Sequence, residues 1–218
     1  MQLAIFDLDY TLIEGDSDHA WGQYLADIGA VDGTEYAQRN QMFYEEYQRG
    51  TLDIQAFLKF SLAPLTRYPR EQLYAWRSQF VNDIIVPMIR EPARDLVAHH
   101  REKGDELMII SATNAFVTEP IAALFGIEHL LSTRPEIKDD RYTGNYVGTP
   151  TFQAGKRVAL DEWLNERGVQ PTKTWFYSDS RNDIPLLATV DHPVAVDPDT
   201  VLKQHAENEG WSIISLRS

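Results

Sequence analysis

The chain has 218 residues, a formal net charge of −13 and no cysteine. So acidic a surface repels nucleic acid and anionic membranes, which excludes both as partners. Without cysteine there is no disulfide, thiolate zinc site or cysteine nucleophile.

In chain order, the first predicted element is a strand, "LAIFDL" at residues 3–8. It is short and apolar, as a strand buried on both faces should be. No basic-then-apolar leader precedes it, and no apolar run approaches the ~20 residues of a membrane span. With the lack of cysteine, this reads as a cytoplasmic protein. From Asp18 to about Ile89 the text is helical and aromatic: "HAWGQYLADIGA", "YAQRNQMFYEEYQRG", "IQAFLKF", "EQLYAWRSQFVNDI". It predicts a helical insertion directly after the first strand.

"PARDLVAHHREKG" predicts a helix stopped by Gly104, with His99 and His100 on its surface face. "ELMIISA" (106–112) is the second strand. "RPEIKDDRYTGNYVGTP" predicts a hairpin with Asp139 and Asp140 near its turn. "GKRVALDEWLNERG" is a helix stopped by Gly168, followed by strands at "TWFYSD" (174–179), "PVAVD" (193–197) and "WSIISL" (211–216). Strands alternating with helices predict an α/β fold: a doubly wound, mostly parallel, Rossmann-like core with an all-helical cap. The expected division is 1–15 and 90–218 for the core and 16–89 for the cap.

In such sheets ligands bind at the carboxyl ends of the strands. That edge receives Asp7 and Asp9 from the first strand, Ser111 from the second and Asp179 from the third. One of two close carboxylates can be a nucleophile while its neighbour, kept protonated by the nearby charge, serves as a general acid. The plainer alternative is a strand end with exposed acids. "YSDSRND" then places Asp183 in the first turn after Asp179. Asp179 and Asp7 together form an oxygen-rich pocket suited to Mg²⁺, which would offset the crowded acids. Ser111, at a strand end before a helix, is a candidate phosphate ligand. Lys156 stands at a helix start, where the dipole disfavours it, so an anion facing it is a reason for its position.

"DLDYT", "LMIISAT", the "GK" pair and "SDSRND" resemble, in order and spacing, the motifs of the haloacid dehalogenase (HAD) superfamily. The insert is similar to its type 1 cap, and the details look closest to the phosphoserine phosphatase-like branch, subfamily IB. The resemblance implies a Mg²⁺-dependent phosphatase acting on a small phosphorylated metabolite through an aspartyl-phosphate. It implies Asp7 as nucleophile, Asp9 as general acid and base, and Lys156 as the charge offsetting Asp7. Thr11 would steady the loop. Ser111, Lys156 and Asn182 would bind the phosphoryl group. Asp7, Asp9 (through its backbone carbonyl), Asp179 and Asp183 would hold the metal.

Asp16 matches the position of an acid that faces the substrate amine in phosphoserine phosphatases. The alternative is that Asp16 and Asp18 are an N-cap pair, with Glu14 and Asp18 left to solvent or capping. Arg49 is a candidate for a substrate carboxylate, although a helix-end arginine before Gly50 is the simpler reading. Phe43, Tyr44 and Tyr47 at helical spacing read as cap core. His19 and Trp21 read as pocket lining or cap core. The chain departs from the phosphoserine phosphatase pattern in three places. It has "SDS" where that branch carries "GDG", Ala112 and Thr113 after Ser111 in place of two glycines, and no matching arginine-bearing cap segment. Phosphoserine and histidinol phosphate are therefore comparable candidates, both amine-bearing esters. A phosphotransferase or mutase, and a non-catalytic phosphate-sensing module, are the alternatives on the same fold.

Overall fold

The computed structural model describes residues 1–217. Strand β1 (Gln2–Phe6) sends alternate side chains into different cores, Leu3 and Ile5 to one face and Ala4 and Phe6 to the other. A strand apolar on both faces belongs in mid-sheet, and β1 lies there. On one side it pairs in parallel with β2 (Glu106–Ser111), and β2 with β3 (His129–Ser132). The hairpin strands β4 (Arg134–Lys138) and β5 (Arg141–Val147) form a separate antiparallel sheet. On its other side β1 pairs with β6 (Lys173–Ser178), followed by β7 (His192–Val196) and β8 (Ser212–Ile214). The main sheet is six-stranded, all parallel, in the order β3-β2-β1-β6-β7-β8. The sequence reading had no β3; its four residues "HLLS" are only half-buried and carry too short a pattern to read.

Between β1 and β2 come the helices of the insert: α1 (Ser17–Asp27), α2 (Gly33–Arg49), α3 (Ile54–Leu62), α4 (Arg70–Phe80) and, after a π-turn at Val81–Ile85, α5 (Val86–Met88). Three of them start on aspartates. Asp16 accepts from His19 N at 2.8 Å, Asp32 from Glu35 N at 3.4 Å, and Asp53 from Gln55 N at 3.0 Å. Each such cap is worth about 1 kcal/mol. α1 and α2 approach closely because residue 22 is glycine; a Cβ there would run into the Asn40 side chain. The approach lets Asn40 Nδ2 donate to His19 O at 2.8 Å.

The insert does not have a wholly separate core. Trp21 and Leu25 of α1 and Phe80 of α4 join the same apolar cluster as Phe6 of β1. Phe116 and Ile121 of α7 (Ala115–Leu124) complete that contact. A smaller aromatic group, Tyr36, Phe43, Phe57 and Phe60, seals α2 against α3.

The remaining helices are α6 (Glu91–Glu102), α8 (Ala154–Arg167), α9 (Ile184–Leu187) and α10 (Thr200–Glu209). α8 ends on Gly168 in the left-handed conformation, φ 62°, as the sequence predicts. The hairpin turns on Asp139 (φ 49°) and Asp140 (φ 59°), the two positive φ values of a tight two-residue turn. It docks on the insert: Arg70 pairs with Asp140, Tyr146 OH donates to Gln55 Oε1 at 2.8 Å, and the Tyr74 and Tyr142 hydroxyls lie 3.4 Å apart.

One expectation for α6 is overturned. His100 is 2% exposed, not on the surface. Its Nδ1 lies 2.7 Å from Asp105 Oδ2 and its Nε2 2.8 Å from Tyr177 OH. Its position after His99 at the end of an amphipathic helix does not distinguish the two histidines, but one sits a residue round on the buried face. No helix among the described residues is long and apolar enough to cross a membrane.

Candidate active site

The carboxyl edge of the sheet gathers the polar residues. Asp7 follows β1 directly, and its N–H donates to Tyr177 O of β6 at 2.9 Å, so the sheet ladder fixes where its side chain begins. Asp7 Oδ1 receives Lys156 Nζ at 2.7 Å, and the same ammonium reaches Asp183 Oδ2 at 2.8 Å. Ser178 Oγ also donates to Asp183 Oδ2, at 2.6 Å. All three charged groups are buried, with Lys156 2% exposed.

A buried lysine survives only if it is paired. Burial works against its charge, but Asp183 and Asp7 outweigh it and hold the ammonium above the ordinary lysine range. Asp7 is pushed up to about 7, mainly by burial, with Lys156 pulling it down and Asp183 and Asp9 raising it further. The glycine of the "GK" pair has a steric cause: a Cβ at Gly155 would collide with Pro150 O. Only glycine lets the chain enter α8 there and deliver Lys156.

Asp9 is held differently. Its Oδ1 accepts from Ser17 N at 2.7 Å, and its Oδ2 from Thr113 Oγ at 2.8 Å and Ser111 Oγ at 3.4 Å. The insert's first helix thus begins on one of the paired acids. Between Asp7 and Asp9 and the insert the chain turns through Tyr10, whose φ of 56° is left-handed.

Thr11 stands between Asp7 and Asp179. Its Oγ is 3.2 Å from Asp179 Oδ1 and 3.5 Å from Asp7 Oδ2, and it accepts from Asp179 N at 3.1 Å. Asp179 is pushed well above the usual carboxylate range, first by burial, then by Asp7 and Asp183. Among the described residues no three His, Asp or Glu side chains close on a common point as a ready-made metal cage. Mg²⁺ does not require one: it takes one or two carboxylates, keeps several waters and engages phosphate oxygens. Buried Asp7 and half-buried Asp179, the second pushed up by the first, share the Thr11 hydroxyl and are a donor set of that kind. The Asp183 and Asp9 side chains have other partners: Lys156 and Ser178 for the first, Ser17 and Thr113 for the second. Asn182 is buried and bridges core and insert. Its Oδ1 accepts from Gln153 Nε2 at 3.1 Å and its Nδ2 donates to Tyr47 O of α2 at 3.3 Å.

Above this edge is a pocket roofed by the insert. Asp7, Asp9 and Thr113 form its floor. Asp16, Asp18 and His19 come from the start of α1, and Phe43, Tyr44, Tyr47 and Phe57 from α2 and α3. Asp16 is both an N-cap and a pocket residue; burial and then Asp9 push it up to about 7. Two readings are corrected. Phe43, Tyr44 and Tyr47 line the pocket, and Phe43 alone of the three is also core. Asp18 is not solvated but 7% exposed, held well above its usual pKa by burial and then by Asp16 and Asp9.

Glu14 does face outward, paired with Arg90. Trp21 is core, while His19 stacks on Tyr44 with ring centroids 4.6 Å apart. Arg49 lies outside the pocket, exposed beside Glu45 at 3.8 Å. Sequence reasoning missed Asn40, Leu52, Ile54, Phe57, Ala112, Thr113 and Phe152 as lining residues. Only Asn40 had a signal, a polar residue on the apolar face of an amphipathic helix.

A family model for haloacid dehalogenase-like hydrolases matches residues 4–188. A histidinol-phosphatase of Neisseria meningitidis serogroup C is 50% identical over 219 residues, covering 99% of both chains. The phosphoserine phosphatase SerB1 of Mycobacterium tuberculosis is 31% identical over 98% of this chain and 70% of its own. Among solved structures, a protein of unknown function from Bordetella pertussis Tohama I superposes with a TM-score of 0.94 at 42% identity, covering 99% and 98% of the two chains. A substrate-bound phosphoserine phosphatase superposes at 0.72 with 18% identity, covering 97% and 91%, which is a likeness of fold.

Proposed function

We propose, for a chain that belongs to the haloacid dehalogenase-like hydrolase family and is a phosphatase, that it hydrolyses a small amine-bearing phosphate monoester of the histidinol phosphate type. The observation that carries this reading is the pocket itself. A further acid, Asp16, lines the same space as the paired Asp7 and Asp9, and aromatic rings wall it. A phosphate ester with a cationic amine and an apolar or aromatic body matches that lining. The high identity to a histidinol-phosphatase over both full lengths supports it. Arg49 offers no charge inside the pocket for a substrate carboxylate, which weighs against phosphoserine.

In this reading Asp7 attacks phosphorus, and the bond to the ester oxygen breaks. Asp9 gives its proton to the departing alcohol, leaving an aspartyl-phosphate on Asp7. Asp9 then takes a proton from the attacking water, phosphate leaves, and the Asp7 carboxylate returns. Lys156, fixed by Asp183, keeps one Asp7 oxygen neutralised and binds the transferring group together with Ser111 and Asn182. Thr113 and Ser17 N hold Asp9 in place for both proton transfers. Asp7, Asp179 and the Asp9 carbonyl would hold Mg²⁺, with Asp183 behind them. When bound, the ion would neutralise the phosphoryl oxygens as the bonds exchange.

The test is a panel of metabolite phosphates compared by kcat/KM, containing histidinol phosphate, phosphoserine and 4-nitrophenyl phosphate, with and without a chelator. The expected result is chelator-sensitive turnover with histidinol phosphate preferred by about 100-fold or more, the discrimination two charged contacts provide. A preference for phosphoserine would overturn the substrate assignment.

A further inference from the structure

Among the described residues, five buried polar side-chain atoms lack a hydrogen-bond partner, and four lie close in the fold: Ser17 Oγ, Asp18 Oδ2, His19 Nδ1 and Asn114 Oδ1. They belong to the first turn of α1 and the N-cap of α7, two helices that pack together. A buried polar atom without a partner is destabilising, so four in one place have a cause. Two of them, on Asp18 and His19, belong to residues lining the active-site pocket. The steps drawn above use neither.

His19 is held in place. Its ring stacks on Tyr44, its N–H caps onto Asp16, and its carbonyl accepts from Asn40. Asp18 is more than nine-tenths buried. Asp16 and Asp18 stand together at the start of α1, and both line the same pocket as Asp9.

We propose that Asp18, with His19 beside it, is a second polar subsite distinct from Asp16, which receives a ring N–H of a heteroaromatic group on the substrate. This rests on the amine-bearing ester reading above and deepens it. A molecule that carries a phosphate, an amine and a nitrogen heterocycle has a group for each part of this lining: Asp7 and Asp9, Asp16, and Asp18. Phe43, Tyr44, Tyr47 and Phe57 offer faces and edges to such a ring. Asn114 at the N-cap of α7 holds the Asp18 carboxylate, and an ester with the amine but no ring leaves the second oxygen, Oδ2, without a partner, and so is selected against.

The experiment compares wild type, Asp18→Asn and His19→Phe by separate kcat and KM. The substrates are histidinol phosphate, phosphoethanolamine and 4-nitrophenyl phosphate, with magnesium present. Asp18→Asn should lower kcat/KM for histidinol phosphate about 10- to 100-fold, mostly through KM, as loss of a hydrogen bond to a charged group does. The other two substrates should stay within about 3-fold, which also reports that the variant folds. His19→Phe should shift the same substrate in the same direction by less. Where the wild type prefers histidinol phosphate, an equal loss on all three substrates in Asp18→Asn overturns the subsite, and so does a KM for histidinol phosphate unchanged from wild type. A wild type without preference for histidinol phosphate over phosphoethanolamine overturns the substrate reading, and the subsite with it.

Discussion

The two sides of the pocket hold their acids in opposite ways. On the sheet side every carboxylate has a partner: Asp7 has Lys156, Asp183 has Lys156 and Ser178, and Asp9 has Ser17 N and Thr113. On the insert side Asp18 Oδ2 has none, and Asp16 spends one oxygen on a helix cap. Asp18 is as buried as Asp7 and Asp9, so burial is not the difference. The sheet side is satisfied before any ligand arrives, which is what preorganised catalysis requires. The insert side is unsatisfied until something enters, which is what selection requires.

Substitutions that break this contrast should rank by how far they disturb the sheet side. Asp7→Asn should give the largest effect, a loss of kcat of about 10⁴-fold or more, because Asp7 is the proposed nucleophile and no other group replaces it. Single-turnover phosphate release measures it, and near-normal release would sink the assignment. Lys156→Met comes next. It leaves Asp7 and Asp183 facing each other without a cation, and breaking a buried pair costs about 3–5 kcal/mol. A drop in the urea midpoint together with a fall in kcat of about 10²-fold or more is expected; a loss of activity at unchanged stability would place Lys156 outside the buried pair described here.

The insert side should respond to pH before substrate is added. Asp16 stands at about 7 in the folded chain against 3.8 for the free carboxyl. A carboxyl raised on folding stabilises below its unfolded pKa, and that contribution is lost as pH rises through the folded value. The melting temperature of substrate-free protein should therefore fall between about pH 4 and 7, and Asp16→Asn should flatten the fall. An identical pH profile of the melting temperature in wild type and Asp16→Asn would contradict the raised pKa of Asp16. The smallest effect is expected at Arg49. It is exposed and outside the pocket, so Arg49→Ala should change kcat/KM by less than about 2-fold on any ester.

The same contrast explains what could be read from the chain alone. The sheet side depends on local text, an apolar strand ending in an acid, so β1, β2 and β6 with Asp7, Asp9, Ser111 and Asp179 were legible. Lys156 was legible because a lysine at a helix start goes against the dipole. The insert side depends on how helices pack, and a helical pattern does not say what its apolar face meets. Phe43, Tyr44 and Tyr47 carry the same spacing whether they face a core or a ligand. Asp18 reads as a cap or a solvated acid because its burial comes from α7, nearly 100 residues further on. His100 was misread for the same reason, since its partner Tyr177 belongs to β6. The hairpin was legible because its turn is local, whereas its docking on the insert was not.

That docking has a consequence for the order of assembly. The helices of the insert close mostly neighbouring segments, but the hairpin reaches them across 70 residues from Arg70 to Asp140 and 91 from Gln55 to Tyr146. Each such closure gives up chain entropy before its contacts repay it, and apart from Tyr142, buried against Phe116, the contacts that clasp the hairpin to the insert are largely polar and exposed. The hairpin clasp therefore belongs to the end of the folding reaction, after the sheet and the insert have formed, and to the beginning of unfolding. Amide exchange along Arg141–Val147 should report an early local opening that leaves the strands carrying Asp7 and Asp179 protected.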